Sequence, residues 1–177
     1  RIIERSHDAF VSMDQAGLVT EWNDSATALF GWTRDEAIGQ PLEDLIVPEG
    51  DREQHRRAVD QYLGTRVSQI VGKRVEVMAK RRDGTLVPVE LAVNSSEFDG
   101  HTVFDAFLSD ITEQRAALDD LRRQALHDPL TGLPNRAYFD AHMARAFDRQ
   151  PGPNHLAVIF VDLDDFKSIN DVCGHAA

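Results

Sequence analysis

The residues best able to do chemistry cluster near one end of the sequence, in VDLDDFKSIND at 161–171. Asp162, Asp164, Asp165 and Asp171 surround a single Lys167, directly after the apolar run 156–161. A carboxylate at the mouth of a buried strand is costly unless something positive neutralises it. Hard divalent cations favour such oxygens, and Mg²⁺ takes one or two carboxylates and completes its shell with substrate phosphates. Asp162, the first polar group after AVIFV, is therefore the expected metal ligand. The turn that follows enters a helix whose N-terminal amides attract phosphate, and Lys167 on its first turn can reach a terminal phosphate. Asp164 and Asp165 read as cap and dipole partners of that helix, and Asp171 as part of a solvated face. The stretch is not an EF-hand loop, because the third ligand position holds Phe166 and no glycine follows where the loop must turn. His127, His142, His155 and His175 do not stand at metal-site spacing.

The rest of the chain must position these groups. With 177 residues, 42% hydrophobic and 28% charged, it has the make-up of a soluble globular protein with room for two small domains. The formal net charge of −11 opposes non-specific binding to nucleic acid or anionic membrane. The apolar runs are too short to cross a bilayer and no signal peptide opens the chain. The lone Cys173 forms no internal disulfide, which fits a reducing cytoplasm. The sequence starts at Arg1 rather than Met and reads as a piece of something longer.

Two regimes follow one another. Between about residues 10 and 110 the pattern is mostly strand, with AFVSMD and LVTEW first. NDSATALFGW predicts a short helix capped by Asn23 or Asp24 and ended by Gly31. DREQHRRAVDQYL predicts a second, stopped by Gly64. KRVEVMAK, LVPVELAVNS and HTVFDAFLSD predict a three-stranded meander, with Asp-Gly in RRDGT marking a hairpin. Trp22 and Trp32 are expected at the edge of the core with their ring nitrogens towards water. From residue 110 the period becomes helical. Ile111, Leu118, Leu121, Ala125 and Leu126 form a stripe on a helix with Thr112 as cap, Arg115 paired to Asp110, and Pro129 beyond its end. Leu118, Leu121 and Ala125 suit a short two-stranded parallel coil. NRAYFDAHMARAF predicts a helix capped by Asn135, and LAVIFVDL a strand buried on both faces.

Three stretches, NDSATALFGWTRDEAIGQPLEDLIVPE, RRDGTLVPVELAV and FLSDITEQR, resemble in order and spacing a PAS sensor domain. The resemblance covers residues 1–113. It implies a five-stranded antiparallel sheet with helices on one face, a ligand held on that face, and a sensing or dimerising role without chemistry of its own. His55 stands where haem-binding members carry the iron-ligating histidine, and a neutral imidazole over an apolar pocket suits that task. The alternative is a half-buried helix residue among Gln54, Arg56 and Arg57. Arg74 falls one residue out of phase with the pocket arginine of haem sensors, and such a slip turns a side chain to the other face. The ligand is otherwise unknown. No cysteine is present in this region for a flavin photoadduct.

HDPLTGLPNRAYF followed by FVDLDDFKSINDVCGHAA resembles the opening of a GGDEF domain, the diguanylate cyclases that join two GTP into cyclic di-GMP. The resemblance implies that the Leu163 carbonyl joins Asp162 on the metal and that Asn170 reads the guanine edge. Asp128 and Arg136 are expected to pair across the loop. The Gly-Gly-Asp/Glu-Glu-Phe signature does not occur in these residues, so the piece is expected to lack cyclase activity by itself. The fold class expected is α+β: a PAS domain at 1–113, a helical linker at 114–127, and the α/β opening of a GGDEF domain at 128–177. The function expected is a homodimeric cytoplasmic sensor controlling a Mg²⁺-dependent diguanylate cyclase. The rivals are a degenerate GTP-binding domain that regulates a phosphodiesterase, and a haem-based gas sensor.

Overall fold

The computed structural model describes residues 8–98, 100–148, 157–162 and 164. The chain divides into two compact units, Arg1–Gln124 and Ala125–Ala177.

The first unit is built on a five-stranded antiparallel sheet. Its strands are β1 (Ala9–Asp14), β2 (Val19–Trp22), β3 (Arg74–Lys80), β4 (Leu86–Phe98) and β5 (His101–Asp110), in the order β2-β1-β5-β4-β3. The expected meander is present, and the Asp83-Gly84 hairpin has Gly84 at φ 86°, with the Asp83 carboxylate accepting from Thr85 N at 2.9 Å. Between β2 and β3 run the short helices α1 (Asp24–Phe30), α2 (Arg34–Ala37) and α3 (Leu42–Ile46), a 3₁₀ turn, and the longer α4 (Arg52–Thr65).

Side chains alternate across a strand, so register decides which residues meet the helices. Ala9, Val11, Met13, Ala79, Val87, Val89, Phe104 and Leu108 share one core with Ala26, Phe30, Ala37, Leu42, Leu45 and Ile46 from α1–α3. Phe10 packs against Phe107, rings tilted, on the opposite face, where Ser12 donates to Asp105 at 2.6 Å. Glu90, Arg74 and Glu76 are in register with that second face.

Asn23 makes the first helix possible. Its side-chain oxygen accepts from Ala26 N at 2.8 Å and from Phe10 N at 2.9 Å, while its amide donates to the Asp8 carbonyl at 3.1 Å. One buried side chain thus caps α1 and fixes the helix to β1. Gly31 ends α1 in the left-handed region, φ 81°, as expected. The tryptophans differ from expectation. Trp22 is buried, and its ring nitrogen donates to Thr27 Oγ1 and the Trp32 carbonyl, while Trp32 Nε1 donates to the Leu45 carbonyl. Buried N–H groups must find protein partners, and α1, the α1–α2 turn and α3 supply them.

Helix α5 (Thr112–Leu126) leaves β5 directly. Thr112 is its first residue rather than its cap: the first carbonyl to accept is that of Ile111, from Arg115 N at 2.9 Å. Arg115 pairs with Glu76 and not with Asp110, which is already engaged by Arg81.

In the second unit, α6 (Arg136–Asp148) is capped by Asn135, whose oxygen accepts from Tyr138 N at 3.0 Å. The expected Asp128–Arg136 pair does not form. Asp128 accepts instead from Leu130 N, Thr131 N and Thr131 Oγ1, which hold its carboxyl below the usual range, and Arg136 lies 3.8 Å from Asp140. The loop closes on its own donors, two backbone amides and the Thr131 hydroxyl. The strand expected at 156–163 is not observed either. Residues 157–162 have no regular structure, and Ile159, Phe160 and Val161 are 84–89% exposed. A strand of a parallel sheet needs a ladder partner, and among the described residues this unit has no other strand.

Replacing Asn23 by Ala removes an oxygen that accepts twice and an amide that donates, in a buried place. It is expected to lower the unfolding free energy by about 2–3 kcal/mol in urea titrations, with Asn23→Asp costing less because the twice-accepting oxygen survives.

Candidate functional site

Helix α4 carries the sequence-predicted ligand residue. It lies against the core through half-buried Val59, Tyr62 and Leu63, and none of its residues is fully buried. Its N-terminal half is tied to α3 by charge: Arg52 reaches Asp44 at 2.8 Å and Arg56 reaches Glu43 at 3.2 Å. His55 is 26% exposed at the side chain, with Nδ1 3.9 Å from Glu43 Oε2 and without a hydrogen-bond partner. Burial pushes its pKa below the usual value, against the smaller pull of Glu43 the other way.

A neutral imidazole is the form that ligates iron, so the chemistry of His55 fits haem. The space around it does not. The Tyr62 hydroxyl bonds directly to Ser95 on β4, and the Tyr62 ring meets Phe104 on β5 at 5.5 Å, so protein fills the layer between α4 and the sheet. Arg74 stands on the other face, paired with Glu90 at 2.7 Å, as its phase in the sequence implied. Two clefts are formed by other residues. One of about 460 Å³ lies on the face away from the helices and is lined by Lys73, Arg74, Ala92 and Phe107 among others. The other, of about 300 Å³, is lined by Ser25, Leu29, Arg81 and Asp110 among others. His55 lines neither.

Asp110 joins the sheet to the outgoing helix. One carboxylate oxygen accepts from Thr112 N at 2.8 Å and the other pairs with Arg81 at 3.0 Å. Burial acts to raise its pKa but is outweighed by Thr112 and Arg81, so the group stays ionised below the usual carboxylate range. The sequence offered Asp110 as a partner for Arg115. Its true partner stands in the β3–β4 hairpin, 29 residues earlier, a separation that local patterning does not reveal.

Of the residues expected at a nucleotide site, Asp162 is described and exposed, whereas Leu163, Lys167 and Asn170 lie outside the described residues. Among the described residues no three His, Cys, Asp or Glu side chains converge on a metal-sized space. A single accessible carboxylate is nevertheless what Mg²⁺ needs when phosphates complete its shell.

The direction of the His55 shift fixes a pH dependence. The fold favours the neutral ring, so this contribution to stability is complete above about pH 6.5 and is lost as pH falls below it. Thermal unfolding should show Tm falling between about pH 7 and pH 5, and His55→Gln should remove that part of the fall. Parallel Tm curves for the two proteins would assign the effect elsewhere.

Residues 1–111 match the family described as PAS fold, and residues 125–177 that described as diguanylate cyclase, GGDEF domain. The sensor protein FixL of Bradyrhizobium diazoefficiens is 33% identical over 129 residues, 71% of this chain and 25% of that protein. The probable diguanylate cyclase DgcE of Escherichia coli K12 is 32% identical over 175 residues, 96% of this chain and 15% of that protein. The crystal structure of a PAS domain from Colwellia psychrerythraea superposes with a TM-score of 0.53 at 25% identity, covering 63% of this chain and 92% of that one. The chain spans a quarter or less of the length of these curated relatives. By its sheet order, its helices on one face and these matches, the chain belongs to the PAS family over residues 1–111, followed by the opening of a GGDEF domain.

Proposed function

We propose that this chain is the sensor and output junction of a longer diguanylate cyclase. The observation that carries the reading is the order of its parts: a PAS match, then one continuous helix α5, then a GGDEF match. We place the sensor at 1–113, the connecting helix at 114–127 and the cyclase domain from 128 onward. The work is assigned to the cytoplasm, where GTP is available. Among the described residues no helix is long and apolar enough to cross a membrane.

Helix α5 has no buried residue, and Leu118 and Leu121 are 48% and 62% exposed. In this reading they pair with the same residues of a second copy, and the sensor acts by changing how two cyclase domains face each other. The 3′-hydroxyl of each GTP attacks the α-phosphate of the other, forming two phosphodiester bonds and releasing two pyrophosphates. Bound Mg²⁺ supplies charge that offsets the phosphates. Asp162 and the Leu163 carbonyl hold the ion, Lys167 holds a terminal phosphate, and Asn170 reads the guanine edge. In the longer protein, Asp162→Ala is expected to weaken Mg²⁺–GTP binding by about tenfold or more in calorimetric titration. Unchanged binding would remove the nucleotide role from Asp162.

A haem-based sensor is the second reading, favoured by the half-buried neutral imidazole of His55 and requiring α4 to move off the sheet. Purified protein given hemin should then develop a Soret band that His55→Ala abolishes. Protein that takes up no hemin sinks this reading and leaves the first intact.

A further inference from the structure

The face of the sheet turned away from α1–α4 carries a row of mixed chemistry. Arg74, Ala92, Phe107 and Phe10 stand opposite one another across β3, β4, β5 and β1. Neighbouring strands lie about 4.8 Å apart, so an alanine between an arginine and an aromatic ring leaves a notch. The larger cleft is this notch extended. It runs from Asp8, just before β1, past Phe107, Ala92 and Asn94 to Lys73 and Arg74 at the start of β3. Its volume of about 460 Å³ falls in the range of small-molecule sites, roughly 300–1,000 Å³.

One wall is aromatic and held in place. Phe107 is half-buried, and its ring packs against buried Phe10 at 5.0 Å. The other wall is basic. Among the described residues Lys73 has no acidic partner, in a chain of net charge −11. Arg74 pairs with Glu90 at 2.7 Å, but its side chain is 76% exposed, and surface pairs of this kind hold weakly. A ligand anion can therefore share or take over the guanidinium at little cost. Asn94 adds an amide that both donates and accepts. The far end is acidic. Asp8 accepts from Ser109 Oγ at 2.7 Å and lies on the β1 side, three strand spacings from β3, about 14 Å or more. The cleft therefore has a direction, positive at β3 and negative at β1.

We propose that this cleft binds a small flat anion, an aromatic ring carrying one carboxylate or phosphate. The ring lies over Ala92 against Phe107, and the anionic group lies at Lys73 and Arg74. A second negative charge on the far side of the ring would approach Asp8, so the site favours anions charged at one end only. α4 and the core side of the sheet take no part, since these residues line the opposite face. The site also borders the output helix. Glu90, the partner of Arg74, stands directly opposite Glu76, which holds Arg115 on the first turn of α5. An anion that draws Arg74 away leaves two like charges facing each other across the strands, which is unfavourable, so occupancy bears on the pair that holds α5. Binding rests on no reading of the cyclase, and the two can fail separately.

The test is a titration of the isotope-labelled 177-residue chain, read by amide chemical shifts. Phenyl phosphate and benzoate are the probes, and inorganic phosphate and phenol the controls. The expected result is saturable shifts at residues 72–74, 92–94 and 107 with at least one probe, the tighter of the two naming the anion. Each control lacks half of what the cleft recognises and should bind about tenfold more weakly or worse. Lys73→Gln removes the free ammonium and Ala92→Leu fills the notch. Each should weaken the tighter probe by about tenfold or more, with the amides of β2 and α1 unmoved. No shift at these residues with either probe overturns the proposal. So does a control that binds as tightly as the probe, or binding that is unchanged in either variant. If Ala92→Leu does not fold, Lys73→Gln, an exposed change, decides in the same way.

Discussion

The carboxylate of Asp110 sits where a rigid sheet becomes a free helix. β5 is the central strand, paired to both β1 and β4, so its end is fixed by the whole sheet. Two residues later α5 starts, and nothing in the helix itself is buried enough to hold it. Asp110 bridges the two by accepting from the first amide of α5 while pairing with Arg81 of the β3–β4 hairpin. A change in the sheet or hairpin therefore reaches the start of α5 through the ionised Asp110, with the Arg115–Glu76 pair as a second link from β3. A carboxylate near a helix N-terminus is also favoured by the helix dipole, which adds to the hold.

The helices around the sheet are held unequally, and that inequality is where a sensor can respond. α1–α3 contribute fully buried residues, from Ala26 and Phe30 to Leu45 and Ile46, and Asn23 welds the first of them to β1. α4 contributes only half-buried ones and depends on surface ion pairs at one end and on the bond from Arg66 to Thr102 at the other. Surface ion pairs contribute little each, so α4 is the element whose position costs least to change.

Much of this was legible in the sequence because it is local. Asn23 before an apolar helix, Gly31 after it, and Asp83-Gly84 between alternating runs each encode a cap or turn within a few residues, and the structure has all three. The phase of Arg74 placed it on the face opposite His55, as found. What was not legible depends on distant partners. Arg81 and Asp110, Arg115 and Glu76, and Arg66 and Thr102 meet only once the sheet is assembled. The stop at Gly64 was misread because an interior glycine looks like a cap when the contacts that favour Arg66 are unseen. The proposed nucleotide residues are a different case. Asp162 is proposed from its motif and not from a folded site, since the strand expected before it is not formed in the described residues.

The claim most exposed to test is that Asp110 couples the sheet to α5. A double-mutant cycle of Asp110→Ala and Arg81→Ala, read by amide exchange at residues 112–116, addresses it directly. The account predicts faster exchange at the start of α5 in Asp110→Ala, a smaller effect in Arg81→Ala, no further effect in the double variant, and an undisturbed sheet interior. Amides at 112–116 that exchange at the original rate in Asp110→Ala would contradict it.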